Sequence, residues 1–81
     1  MQLAYRYVAP KGDTMNLTGR GIRVADIYAR YRKGEKPEDA ADAYGLPLAA
    51  VFEALAYASD HQPEMDKVLE EDAMAYLPGK V

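Results

Sequence analysis

The chain has 81 residues and no cysteine, so it is one small domain held together without disulfides. Apolar residues make up 49% of it, but 14 are Ala and 7 are Tyr, and Leu, Ile, Val and Phe together number only 15. The core that such a chain can build is thin, yet a net charge of −3 is too small to favour disorder.

No apolar run approaches the roughly 20 residues needed to cross a bilayer, and the start Met1-Gln2-Leu3 lacks the charged and apolar regions of a secretion leader. A soluble, cytoplasmic protein is the expectation. Small Ala-rich domains bury little apolar surface alone, which makes a homodimer the default expectation. Charge is unevenly placed: residues 1–36 hold eight bases and three acids, residues 37–81 two bases and ten acids. A dipolar chain of this kind can bind nucleic acid with one half and a basic protein with the other, or pair its own halves in a dimer.

In chain order, Leu3–Val8 is rich in β-formers, alternates Tyr5 and Tyr7 with Ala4 and Arg6, and stops at Pro10; it predicts a strand. Lys11–Asn16, with Gly12 and Asp13, reads as a loop, and Leu17–Val24 as a second short strand. Such a ribbon must lie on the helices or pair with another subunit's, carrying Arg6, Arg20 and Arg23 near one another.

The first helix is marked by Val24, Ile27, Tyr28 and Tyr31 at i, i+3, i+4 and i+7, with Asp26 and Arg30 as an i, i+4 pair on its outer side. Arg32 and Lys33 suit its last turn, and Gly34 its left-handed stop. Pro37 opens a second helix with Glu38 and Asp39 in the first turn, a weak N-cap at Lys36 and a stop at Gly45.

A third helix runs from Leu48 to about Ser59, with Leu48, Val51, Phe52 and Leu55 on one stripe. Pro63 opens a fourth, with Met65, Val68, Leu69 and Tyr76 along one side, and Leu77–Val81 is a frayed tail. The whole predicts a mainly α fold in one domain: a short N-terminal β-ribbon (1–23) followed by a three- to four-helix core, made of a helix-turn-helix part (24–61) and a C-terminal helix (62–77).

The helix-turn-helix reading rests on Ala41, Gly45 and Val51, spaced by four and six residues. A side chain larger than Ala41 would part the two helices, and a β-branched residue at Gly45 would be forced into a left-handed conformation. The face of the third helix that would meet a DNA groove carries Pro47, Leu48, Ala49, Phe52, Glu53 and Ala56. None of these makes a bidentate base contact of the Arg or Asn type. Leu48 and Phe52 are instead expected to be buried against the ribbon or another subunit, as part of a partner-binding surface. The candidates for DNA phosphates are Arg6, Arg20, Arg23, Arg30 and Lys33.

These segments resemble a bacterial family, the domain of unknown function 433. Tyr5–Pro10 resembles its opening strand, Gly19–Val24 its Gly-Thr-Arg-Ile segment, Pro37–Leu48 its helix-turn-helix and Ala54–His61 the end of its third helix. Arg20 stands in place of that family's Thr, Gly21 in place of its Arg, and Lys36 in place of the usual capping Ser or Thr. The resemblance implies a homeodomain-like fold and, as in some members, an antitoxin role beside a ribonuclease toxin of the PIN type.

The remaining candidates carry little chemistry. His61, the only histidine, lies near Asp60, Glu64 and Asp66, but one His with carboxylates on a turn is a poor metal signature, and a His in a helix's last turn is favoured by the dipole. Glu70-Glu71-Asp72 is either a solvated face or a docking surface for a basic nuclease. Tyr28, Tyr31 and Tyr57 read as core or interface. With Ser59 the only serine, no nucleophile arrangement or phosphate loop is present, so no enzyme, cofactor, metal or small-molecule substrate is expected. The expected function is therefore a non-catalytic antitoxin-like module binding a toxin and its operator DNA. The alternative is a protein-interaction or oligomerisation domain with no nucleic-acid role.

Overall fold

A computed structural model describes residues 5–12 and 14–76. Two strands, β1 (Val8–Lys11) and β2 (Thr14–Leu17), precede four helices: α1 (Val24–Arg32), α2 (Pro37–Tyr44), α3 (Leu48–Asp60) and α4 (Gln62–Tyr76). The expected mainly α fold with an N-terminal ribbon is the one observed. The ribbon itself sits elsewhere. Val8 pairs with Leu17 and Lys11 with Thr14, so the segment expected to be a loop holds the hairpin, with Gly12 at φ 61°; Asp13 lies outside the described residues. Pro10 was read as a stop but is tolerated inside β1, because a two-stranded ribbon consists only of edges.

The second expected strand, Leu17–Val24, is instead the end of β2 at Leu17, a tight loop over 18–23 and the start of α1 at Val24. The Leu17 N–H donates to the Ile22 carbonyl at 2.8 Å and the Arg20 N–H to the Leu17 carbonyl at 3.1 Å, with Gly19 at φ 74°. The loop returns the chain so that Arg23 bridges Asn16 and α1 starts at the next residue. The strand expected at Leu3 and Ala4 and the tail at Leu77–Val81 lie outside the described residues.

The helix ends follow their sequence signals. Past α1, the Gly34 N–H reaches the Tyr31 carbonyl and the Glu35 N–H the Arg30 carbonyl, at 2.9 and 3.0 Å; past α2, Gly45 and Leu46 repeat the pattern on Asp42 and Ala41. These bonds satisfy carbonyls that a helix end leaves open, and they require a left-handed residue, supplied by Gly34 at φ 95° and Gly45 at φ 66°. As expected, Lys36 caps α2 with no side-chain hydrogen bond.

The core collects on α1 and α3, which pack on each other and on their neighbours. Its members are Val8, Leu17, Val24, Ile27, Tyr28, Val51 and Met65, filled in by Ala25, Ala40, Ala41, Ala50, Ala54 and Ala58. With so many contacts made by Ala, the helices pack close and leave no slack for larger side chains. Ala54→Leu, at a fully buried position, is expected to cost about 1–3 kcal/mol, read as a lowered urea midpoint at unchanged slope. An unchanged midpoint would mean that the α3 contact is loose.

Candidate functional site

Among the described residues the surface divides into a set of engaged charges and a bare apolar groove. Glu53 organises the first region. Its carboxylate accepts the backbone N–H groups of Arg6, Tyr7 and Val8, at 3.0, 2.6 and 2.8 Å, and so seats the start of β1 against α3. The sequence reading put Glu53 on a groove face beside Phe52. Glu53 and Phe52 are neighbours in sequence but lie 100° apart around the helix, and the ribbon covers the Glu53 side.

Two of the arginines expected to await phosphate, Arg23 and Arg30, are held in ion pairs within the chain. Arg23 binds Asp26 at 2.7 Å and Asp72 at 2.6 Å, tying the start of α1 to the far part of α4. The Asp26 carboxylate also accepts the Arg23 backbone N–H at 3.1 Å, closing the first turn of α1. Arg30 makes a two-pronged pair with Glu35 and lies over the Tyr44 ring at 5.1 Å. The expected Asp26–Arg30 pair is therefore absent: each found a partner that sets the helix end rather than its outer face.

Arg20 donates to the Tyr44 carbonyl at 3.4 Å, at the end of α2. Arg20 and Arg23 thus engage different partners, and the Arg6 guanidinium lies over the Tyr7 ring at 5.3 Å, so among the described residues the three share no partner as a ribbon cluster would. Arg32, read only as a helix-end charge, bonds the Tyr28 hydroxyl at 2.8 Å and Asp66 at 3.1 Å. Lys33 is exposed and has no ion pair among the described residues.

These pairs have a pH signature. The Arg23 guanidinium holds the Asp72 carboxyl below the usual carboxylate range, as Arg30 does for Glu35. A carboxylate whose value is lowered by folding contributes stability above its unfolded value, near 4, and loses it as pH falls through the folded value. The pair is about one-third exposed, so solvent screening keeps its worth below about 1 kcal/mol. Asp72→Asn is expected to be less stable than the parent at neutral pH and to converge with it on acidification, measured by urea unfolding across pH; a gap that persists at low pH would assign the loss to packing.

The second region is apolar. Tyr31 is 53% exposed, Phe52 51% and Leu48 38%. Tyr28, Tyr31, Pro37, Phe52, Leu55, Ala56, Ser59 and Gln62 line an open groove of about 510 Å³ between α1 and α3. The ribbon does not cover Leu48 and Phe52, against one of the two expectations for them. Tyr28 is buried as expected, and Tyr57 packs edge-on to Tyr5 at 5.7 Å, where burial pushes its hydroxyl up. Of the residues read as helix-turn-helix contacts, Ala41 and Val51 are buried and Gly45 makes the left-handed turn between α2 and α3.

His61 stacks on Tyr57 at 4.0 Å, and its Nδ1 meets the Tyr57 carbonyl at 3.0 Å. No group of His and carboxylates suited to a metal ion occurs among the described residues, and no described helix is long and apolar enough to cross a membrane. Of the acidic run on α4, Asp72 is engaged by Arg23, and Glu70 and Glu71 are exposed. Sequence reasoning missed the Arg23–Asp72 and Glu53 contacts, since partners 49 and 45–47 residues apart leave no local spacing signal.

Residues 15–58 match the model of a family described as protein of unknown function (DUF433). The chain belongs to the DUF433 family. The match opens inside β2 and closes near the end of α3, so it takes in α1, α2 and the groove wall that α3 supplies, and leaves out α4. No curated protein and no solved structure matches the chain.

Proposed function

We propose that this DUF433 chain is a non-catalytic, antitoxin-like module that docks a partner protein, a toxin of the ribonuclease class, on the apolar face of α3 and α1. The observation that carries this reading is the exposure of Phe52 and Tyr31 in one groove, with Leu48 also exposed one turn earlier on α3. In a chain so short of large apolar residues, three of them left in water are costly unless a partner removes them from it. Aromatic anchors set beside a groove are also the residue type on which protein interfaces concentrate their energy.

A second reading, a protein-interaction domain with no nucleic-acid role, is favoured by the engagement of Arg23 and Arg30 in ion pairs. Operator contact, if made, falls to Arg6, Arg20 and Lys33. The test is co-purification with the product of the neighbouring reading frame, with growth of cells expressing that neighbour alone. The antitoxin reading predicts a stable complex, growth arrest relieved by this chain, and at least about thirtyfold weaker binding by Phe52→Lys. A complex without arrest would favour the interaction domain, and no complex would remove the toxin reading. Operator binding predicts an affinity that falls steeply with salt and further with Arg20→Ala; a salt-independent signal would exclude phosphate contact.

A further inference from the structure

We propose that in the free chain the groove is covered by a second copy, whose α4 end inserts Met74 beside Phe52, the exchange being reciprocal about a two-fold axis. α4 presents two different sides. Its inner side is pinned along α1 at two points, Arg32 to Asp66 and Arg23 to Asp72, and seats Met65 in the core. The opposite side presents Lys67, Glu70, Glu71 and Met74 at i, i+3, i+4 and i+7, all exposed. Met74, at 67%, is the most exposed of the large apolar residues among those described.

Met74 cannot reach the groove of its own chain. Gln62, which lines the groove, begins α4, and Met74 follows twelve residues later on the same unbroken helix, about 18 Å away along the axis. Groove and anchor therefore sit at opposite ends of the α1–α4 pair. A two-fold axis near the middle of α4 brings each copy's Met74 to the other's groove, making two identical contacts.

Charge selects the same occupant. The groove runs on, through Tyr31 and Pro37, into a shelf lined by Arg32 and Lys36, and Lys36 has no ion pair among the described residues. Glu35 on that shelf is taken up by Arg30. No described basic residue lines the rest of the groove, so an acidic segment is oriented toward Lys36. Glu70 and Glu71, one helical turn before Met74 and likewise without ion pairs among the described residues, supply that acidic segment. The inference goes beyond the toxin reading and stands without it; a toxin that takes the groove displaces α4.

Light scattering of the full chain over a concentration series tests the assembly. The expected result is a dimer that Met74→Lys converts to monomer while circular dichroism stays unchanged. Lys36→Glu weakens association about fivefold per lost pair, and adding Glu70→Lys to it restores the affinity. A wild-type chain that is monomeric throughout, a dimer indifferent to Met74→Lys, or a charge exchange that restores nothing would overturn the proposal. Cysteine pairing settles the arrangement in a protein with no cysteine of its own: Met74→Cys mixed with Phe52→Cys should form a cross-chain disulfide. A disulfide formed only between two Phe52→Cys chains would show α3 facing α3 and refute it. Failure of the toxin reading is separate, since it leaves this dimer in place, whereas failure of the dimer leaves Met74→Lys competent for the toxin.

Discussion

Glu53 gives up exposure to water to accept three consecutive backbone N–H groups, and much of the architecture depends on that contact. A two-stranded ribbon is at best marginally stable alone. This one is held on the helices by Val8 and Leu17 in the core and by a carboxylate projecting from the middle of α3. Because a charged acceptor makes stronger hydrogen bonds than a neutral one, one side chain does for the arm what a third strand would otherwise do. It also determines which side of α3 the ribbon covers, and hence that Phe52, one residue earlier, is left bare.

The same logic runs through the charged residues. A domain with few large aliphatic side chains places Ala in the helix contacts and supplements them with charge pairs between elements: Arg23 joins α1 to α4, and Arg32 joins them again at the other end. Each partly exposed pair is worth little, but together they set the direction of α4 along α1. Of the positive charge expected to meet nucleic acid, Arg23 and Arg30 are held in ion pairs within the chain. The apolar groove and its shelf at Lys36 lie outside this set of pairs.

Much of this was legible in the sequence, and the reasons differ by element. α1, α2 and α3 announce themselves because their signals are local: the apolar stripe from Val24, the Pro37 start, and the glycines at 34 and 45 that end helices in left-handed turns. The ribbon lies further along the chain than expected because the loop-forming residues around Gly12 sit in a hairpin, and because an edge strand accepts Pro10. The candidate surface was half legible. Leu48 and Phe52 stood out as an apolar face in need of a cover, but which side of α3 the arm occupies depended on Glu53, whose partners lie more than 40 residues away. Asp72 looked like one of three equivalent acids; only the antiparallel run of α4 along α1 sets it against Arg23.

The most direct measurement of the Glu53 contact is amide hydrogen exchange at Arg6, Tyr7 and Val8, compared between the parent and Glu53→Gln. The account predicts slowed exchange at all three amides in the parent and its loss at these positions in the variant, with α2 protection unchanged. Equal exchange in the two proteins would contradict it, and would mean that the arm is held by Val8 and Leu17 alone.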